Sequence, residues 1–354
     1  MRYFIICLIV FAMLLPVFSQ ESKIEIWAHY CAWFKIDNGY WDQKTNTTPK
    51  RGLYNSSDPN VAAQQNKEKN DYGIGVDIVS WCEEHEQFLF TGYFNAYNYH
   101  TRKFGILYEI LPLLGERECY DFSDPILAEK FLYHIDYLVD MFGWRPECLK
   151  VDDRPVVYIW TGNFKNFKKV SELARQKVYL IVSMPILFPL NDDDKEKIEI
   201  LKCFDAITDY GICPTYLAGK YNYLNADAIK EYIKAIVRWD RIIKLYAPDV
   251  ELILPVQFAY HDNRGDVDPN TRKNRILNST AEQAELFAKA ARFLVDKLKI
   301  KRIFIVSYNE HFEGTGIEEN EEWGSLWLSL IKKYFVDESV DPEDEELKKI
   351  RNRY

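Results

Sequence analysis

The sequence predicts an α/β protein: a single (β/α)8 TIM-type barrel with a C-terminal closing helix. Three observations predict it. Eight short runs rich in β-branched and aromatic residues alternate with stretches of helical periodicity, the rhythm of a parallel sheet with helices packed outside it. The runs are apolar nearly throughout, as in LILPVQF at 252–258, which suits strands buried on both faces. No glycine-rich phosphate turn follows the first run, so the competing open, doubly wound sheet lacks its main support.

The first residues stand outside this pattern. Met1-Arg2 supplies a positive start, Ile5 to Phe18 is almost wholly apolar, and Val17-Phe18-Ser19 precedes a cleavage point. Residues 1–19 are therefore expected to be an export signal, with a secreted, extracellular or lumenal mature chain beginning near Gln20; an uncleaved N-terminal anchor is the alternative. The apolar run falls short of the roughly 20 residues that span a bilayer, and no later stretch approaches that length.

Lys23–Phe34 is the first strand candidate, followed by a polar loop rich in Asn, Gly and Pro through Asp58. Asp58-Pro59 has the form of an N-cap with proline at the first helical position, opening a helix over Asn60–Lys69. Gly75–Trp81 is the second strand. A helix-length segment from Glu83 to about Arg102 leads to the third, Phe104–Glu109. Ser123-Asp124-Pro125 opens an amphipathic helix to Phe142. Leu149–Arg154 reads as a turn and Pro155–Trp160 as the fourth strand. Val178–Ser183, Phe204–Tyr210, Leu252–Tyr260 and Ile303–Tyr308 complete the eight, with helices at 164–176, 226–246 and 280–298 between them. Trp323–Phe335 is the closing helix. No linker or internal repeat divides residues 20–338, and the charged tail 339–354 is expected to be loosely held or a solvated helix.

Bulk properties narrow the function. A net charge of −9 with no basic block gives no electrostatic footprint for nucleic acid. Aromatic residues make up 15% of the chain, with 24 Tyr and 9 Trp, and those at strand ends suit stacking on sugar rings as well as core packing. Cys7 lies in the signal, leaving Cys31, Cys82, Cys119, Cys148, Cys203 and Cys213. An even number in an exported chain permits three disulfides, with fifteen connectivities, and Cys31 with Cys82 is the favoured pair because both follow early strands at equivalent places. Neither a CxxC nor a Cys/His ligand spacing is present, so neither zinc nor another cofactor is expected. Sequons occur at Asn46, Asn55 and Asn278.

In a barrel, the groups that follow each strand collect on one face. Those ends carry His29-Tyr30-Cys31-Ala32-Trp33, then Trp81 with Glu83, Tyr108-Glu109, Trp160 and Asp209-Tyr210. Tyr260-His261-Asp262-Asn263-Arg264 and Asn309-Glu310-His311-Phe312-Glu313 complete the face. Rings for apolar sugar faces, with acids and an arginine for hydroxyls, make up the composition of a carbohydrate site. Each residue also has a plainer role: Glu310 and Glu313 as an acidic turn, Glu109 as an ion-paired acid, Tyr30, Trp33, Trp81 and Trp160 as packing. Arg264 could neutralise Asp262 or Asp266. His29, His261 and His311 with Glu313 lack a recognised metal spacing.

The segment Tyr308–Glu318, YNEHFEGTGIE, resembles the (F/Y)NEWHEGTxIE motif of glycoside hydrolase family 99, the endo-α-1,2-mannosidase and mannanase family, and its family 99-like relatives. Tyr260–Arg264 is similar to that family's Tyr-Asp-Asp-Thr-Arg, and Tyr108-Glu109 stands where the family has His-x-Glu-Pro. Asp58-Pro59 and Val79-Ser80-Trp81 follow its early pattern. The resemblance implies a (β/α)8 barrel and a retaining hydrolase of an α-mannoside-like oligo- or polysaccharide; the chain is expected to be a monomer. It places Glu313 at the general acid/base position and Glu310 at that of the assisting carboxylate. In the family that carboxylate is thought to take the proton of the sugar 2-hydroxyl, giving a 1,2-anhydro intermediate that water reopens; direct attack by Glu310 stays open. Tyr30, Trp81, Glu109, Trp160, Tyr210, Tyr260, Arg264, Asn309 and His311 are the expected substrate-binding residues. The family's Trp-His between the two acids is His311-Phe312 here, and a change of substrate is expected to show there. The rival expectation is a non-hydrolytic carbohydrate-binding barrel in glycan or cell-envelope assembly, because fold alone does not confer activity.

Overall fold

In a computed structural model, the described residues are 24–36, 41, 45–160, 163–184, 195–210, 217, 220–262, 276–337 and 344–351. The export signal, Arg264 and Cys213 lie outside them.

The apolar runs become strands that pair in chain order. They are β1 (Glu25–Tyr30), β2 (Val76–Trp81), β3 (Lys103–Tyr108), β4 (Arg154–Ile159), β5 (Tyr179–Ser183), β6 (Ala206–Thr208), β7 in two pieces (Glu251–Leu252 and Leu254–Val256) and β8 (Arg302–Ile305). All neighbours are parallel, and β8 returns to β1, so the sheet is a nearly closed (β/α)8 barrel. The first piece of β7 pairs with β6 and the second with β8. Pro255 has no N–H to donate, and pairing with β6 ends before it.

Alternate residues face opposite ways. Trp27, Ile78, Leu107, Tyr158, Ile181 and Phe304 fill the barrel, while Ala28, Val79, Ile106, Val157, Leu180 and Ile305 pack against the helices. Gly105 faces inward, where a Cβ would come within 2.9 Å of Ile78 Cδ1 and 3.1 Å of Val156 Cγ1.

The helices begin where the sequence supplies caps. Asp58 accepts from Asn60 N before α1 (Pro59–Asp71), and Asp124 from Ile126 N before the long α3 (Pro125–Phe142). Asn225 caps α6 (Ala226–Tyr246), and Thr280 with Gln283 forms a capping box at α7 (Ala281–Leu298). Between them lie α2 (Glu86–Thr91), α4 (Lys168–Arg175) and α5 (Lys195–Leu201); α8 (Leu326–Ile331) closes the barrel and continues as a π turn, Lys332–Val336. Among the described residues no helix is long and apolar enough to cross a membrane.

Four expectations need correction. The helix expected over Glu83–Arg102 is α2 followed by two 3₁₀ turns, because the loop before α1 crosses at Gly92, where a Cβ would lie 1.8 Å from Ser56 O. The seventh strand ends at Val256, and Tyr260–His261 instead forms a separate antiparallel pair with Ile276–Leu277. The helix expected from residue 164 starts at Lys168, since Phe164–Lys165 pairs with Tyr120–Asp121. In the tail, Glu345–Arg351 is a docked helix: Leu347 is buried, and Asp344 pairs with Lys289 at 2.6 Å.

Asp77, on the helix-facing side of β2, ties α1 to the barrel. Its carboxylate takes Lys69 Nζ at 2.8 Å, Arg102 Nη2 at 2.8 Å and the Tyr93 hydroxyl at 2.8 Å, all inside the protein. Burial pulls the Lys69 ammonium down to about 7, although the Asp77 charge opposes this.

Candidate active site

After β8 the chain folds back on itself at the barrel mouth. The Val306–Ser307 peptide is cis. Ser307 N donates to Thr315 O at 3.2 Å, Ile317 N to Ser307 O at 3.1 Å and Glu318 N to Tyr308 O at 2.8 Å. Gly314 takes φ +60° in this reversal, a conformation that glycine adopts without a Cβ penalty.

Asn309 then acts toward β1 as a peptide group would. Its Oδ1 accepts from Cys31 N at 2.7 Å, and its Nδ2 donates to Cys31 O at 2.9 Å and to the Tyr54 hydroxyl at 3.1 Å. Tyr308 N donates to His29 O at 2.8 Å, continuing the β1–β8 pairing. From the loop after β1, the Asn46 amide donates to the carbonyls of both His261 and Phe312. These bonds hold the segment that carries Glu310 and Glu313.

Three carboxyl groups converge there. Glu310 is 6% exposed and accepts from the Cys31 thiol, Sγ to Oε2, at 3.3 Å. Glu313 is half-buried, and its carbonyl accepts from His261 N at 2.7 Å. Glu109, just beyond β3, is half-buried and accepts from Ser80 Oγ at 2.7 Å. Burial raises the Cys31 thiol well above its ordinary value, and the negative charges of Glu310, Glu109 and Glu313 add to it. Burial likewise raises the Tyr210 hydroxyl, with Glu313, Glu310 and Glu109 contributing in the same direction. Burial pushes the Glu109 carboxyl up to about 7; the Ser80 hydrogen bond opposes this and the charge on Glu313 adds to it. Carboxyls so placed cannot all be ionised cheaply. The pocket can thus keep a proton on one acid beside a negative charge on another, as paired acid–base chemistry requires.

The floor of the pocket is polar. His29, next to last in β1, has its ring between Ser80 and Tyr210, and burial holds it neutral by lowering its pKa to about 3. Trp160 meets Tyr210 edge-on at 6.1 Å between ring centroids, and Trp33 lies beside His29 at 6.3 Å. Among the described residues no group of three or more His, Cys, Asp or Glu is placed to hold a metal ion.

Of the predicted site residues, Glu310, Glu313, Glu109, Tyr210 and Trp160 come together at this mouth. Others are elsewhere. Inward-facing His29 and Ser80 turn their neighbours Tyr30 and Trp81 outward. Tyr30 donates to Gln65 Oε1 at 2.8 Å under Lys69, and Trp81 stacks on Tyr137 at 5.8 Å. His311 is fully buried beneath the loop, with Nδ1 at 2.8 Å from Thr47 Oγ1 and Nε2 at 3.1 Å from Glu318 Oε2. The ring of Tyr260 packs in the helix-side core. Asn309 has its amide committed to Cys31 and Tyr54, so it positions the loop and is not available to sugar. The favoured Cys31–Cys82 disulfide does not form. Cys31 turns to Glu310 while Cys82 packs on the helix side, and Cys31, Cys82, Cys119, Cys148 and Cys203 all carry free thiols.

Sequence reasoning placed His29 and Cys31 on this face without assigning them a role in the site, passed over Ser80, and did not distinguish Glu318 as a structural group. The signal for His29 and Ser80 was present: each is a polar residue interrupting a largely apolar strand.

No family model matches the sequence, and no curated protein does. Solved structures do. The family 99 endo-α-mannosidase from Bacteroides thetaiotaomicron is similar with a TM-score of 0.64 at 19% identity, covering 93% of this chain and 99% of that one. Another structure of the same enzyme gives 0.63 at 17% identity, covering 93% and 98%. A glycoside hydrolase-like protein gives 0.64 at 17% identity, covering 91% and 96%. The barrel, closed in chain order with its acids on the loop after β8, therefore has the fold of glycoside hydrolase family 99.

Proposed function

We propose that this chain is an exported glycosidase that cleaves an α-mannoside-like glycan with retention of configuration. The observation that carries the reading is the loop after β8, which presents two carboxyls of unequal exposure beside a third just beyond β3. Glu313, at the rim, is suited to protonate the departing glycosidic oxygen and later to activate water. Glu310, which lies deeper beside the Cys31 thiol, is suited to take a proton, or to attack, from the opposite side. The resemblance of the Tyr308–Glu318 segment to the family 99 motif supports the order of these roles.

The test is hydrolysis of α-mannan and aryl α-mannosides by wild type, Glu310→Gln and Glu313→Gln. Each variant is expected to lose roughly 10²–10⁴-fold in kcat/KM, the usual worth of a positioned acid or base. NMR of the first product should show the anomeric configuration of the substrate. Full activity in either variant, or an inverted product, contradicts the assignment. Glycan binding by calorimetry that survives both substitutions, with no product from wild type, would instead indicate a binding barrel.

A further inference from the structure

Four side chains, from β1, β2 and the segments that follow β3 and β6, form a continuous row across the floor of the mouth, and neither acid assigned to bond cleavage belongs to it. The Tyr210 hydroxyl lies 3.1 Å from His29 Nδ1, His29 Nε2 lies 2.7 Å from Ser80 Oγ, and Ser80 Oγ lies 2.7 Å from Glu109 Oε1. The other groups facing the 1%-exposed His29 are the Cys31 thiol, 3.8 Å from Nδ1, and the Trp33 ring.

Counting protons gives the row a direction. An ionised carboxylate only accepts, so Glu109 takes the single hydroxyl proton of Ser80. Ser80 then has only lone pairs to offer His29, which places the imidazole proton on Nε2. A neutral imidazole carries one proton, so Nδ1 accepts, and Tyr210 supplies the proton. Burial, which lowers His29 to about 3, keeps the ring neutral and the row one-way. A proton gained by Glu109 can reside on its other oxygen and leave this order intact.

We infer that Tyr210 meets the ligand as a hydrogen-bond acceptor only, held so by His29, Ser80 and Glu109, and that it reads a sugar hydroxyl in preference to an ether, a fluorine or a carboxylate. The ligand class in this statement rests on the glycosidase reading; the direction of the row does not. The negative charges of Glu310 and Glu313 near Tyr210 act in the same sense, against anionic sugars. His29, Ser80 and Glu109 are positioning residues here, acting through Tyr210.

Nitrogen NMR of the histidine-labelled protein tests the direction. Wild-type His29 should show the Nε2–H tautomer without titrating between pH 5 and 8. Glu109→Leu frees the Ser80 hydroxyl to turn toward Nε2 and should populate the Nδ1–H tautomer. Glu109→Gln keeps an accepting oxygen and should preserve the wild-type pattern, with thermal melts confirming the fold of both. An Nδ1–H tautomer in wild type, titration in that range, or identical behaviour of the Leu and Gln variants would overturn the inference. With an α-linked mannotriose as probe, single hydroxyl-to-fluorine replacements should reveal one position that costs wild type roughly tenfold in kcat/KM, about one hydrogen bond, and costs Tyr210→Phe nothing. Equal losses in both proteins at every position would refute the acceptor role. If wild type neither binds nor cleaves the probe, the glycosidase reading falls, and the tautomer measurement alone decides the row.

Discussion

Glu318 ends the motif but serves stability, and Glu318→Gln tests that division of labour. Its carboxylate is 0% exposed and has four donors in two pairs. Oε1 accepts from Arg51 Nε at 2.6 Å and Gln65 Nε2 at 2.9 Å; Oε2 accepts from the Tyr54 hydroxyl at 2.9 Å and meets His311 Nε2 at 3.1 Å. A glutamine keeps the shape and converts one oxygen into a donor, which then faces two donors. The side of Tyr54 and His311 is the milder choice, since a hydroxyl and an imidazole nitrogen can each present a lone pair. Arg51 keeps Glu68 at 3.1 Å but loses the buried charge. Hydrogen bonds to charged groups contribute about 1.5–3 kcal/mol each and rearrangement recovers part, so the net cost is about 2–4 kcal/mol. At about 2–4 °C per kcal/mol, the melting temperature should fall by roughly 4–16 °C.

The pH dependence has a definite sign. Burial pushes the Glu318 carboxyl up, but the hydrogen bond and charge of His311, with Arg51, bring it below its ordinary value of 4.5 on balance. The folded state thus favours the ionised form; its stabilisation is complete above that value and is lost as the pH falls through the depressed one. Urea denaturation of both proteins at pH 7 and near pH 3.5 should show a gap that narrows in acid. A variant within about 0.5 kcal/mol of wild type at pH 7, or a gap independent of pH, would refute the argument.

Glu109 should behave in the opposite sense. With its carboxyl raised to about 7 from 4.5, the folded chain binds more protons than the unfolded one between those values, so stability falls as the pH rises through that window. Glu109→Gln should flatten that slope in denaturant midpoints taken from pH 5 to 8. The Cys31 thiol, held protonated by burial and by Glu310, should be alkylated far more slowly than half-buried Cys119 at pH 8, as peptide mass spectrometry can follow. Gly92→Ala should cost about 1–3 kcal/mol or more in a thermal melt, because its Cβ would fall 1.8 Å from a backbone oxygen that cannot give way cheaply.

The sequence carried the barrel and its acidic loop well, and the direction of individual side chains poorly. Strands buried on both faces show no alternation, so nothing in KIEIWAHY said that His29 points in and Tyr30 points out. The polar residues interrupting β1 and β2 were the available clue, and an ambiguous one: Ser80 faces the pocket, whereas Asp77 faces Lys69 and Arg102. The motif likewise reads as one unit, yet its residues divide by depth. Glu310 and Glu313 face the mouth, while His311 and Glu318 tie the loop to Thr47, Tyr54 and Arg51 from beneath. Those partners come from a polar loop whose sequence has no periodicity to read. The cysteines misled because equal spacing after two strands carries no information about which way each thiol turns.

Asn46 is both a glycosylation sequon and the clasp of the acidic loop. An asparagine side-chain nitrogen has two protons, and here both serve backbone carbonyls, those of His261 and Phe312. A sugar linked to that nitrogen replaces one of them and puts bulk against Gly314. In a compartment that attaches glycans, modification and loop closure compete for the same atom: a glycan on Asn46 removes one of the two bonds that clasp the loop carrying Glu310 and Glu313, so a glycosylated Asn46 and a fully clasped loop exclude one another. A glycopeptide at Asn46 in fully active protein would contradict this exclusion.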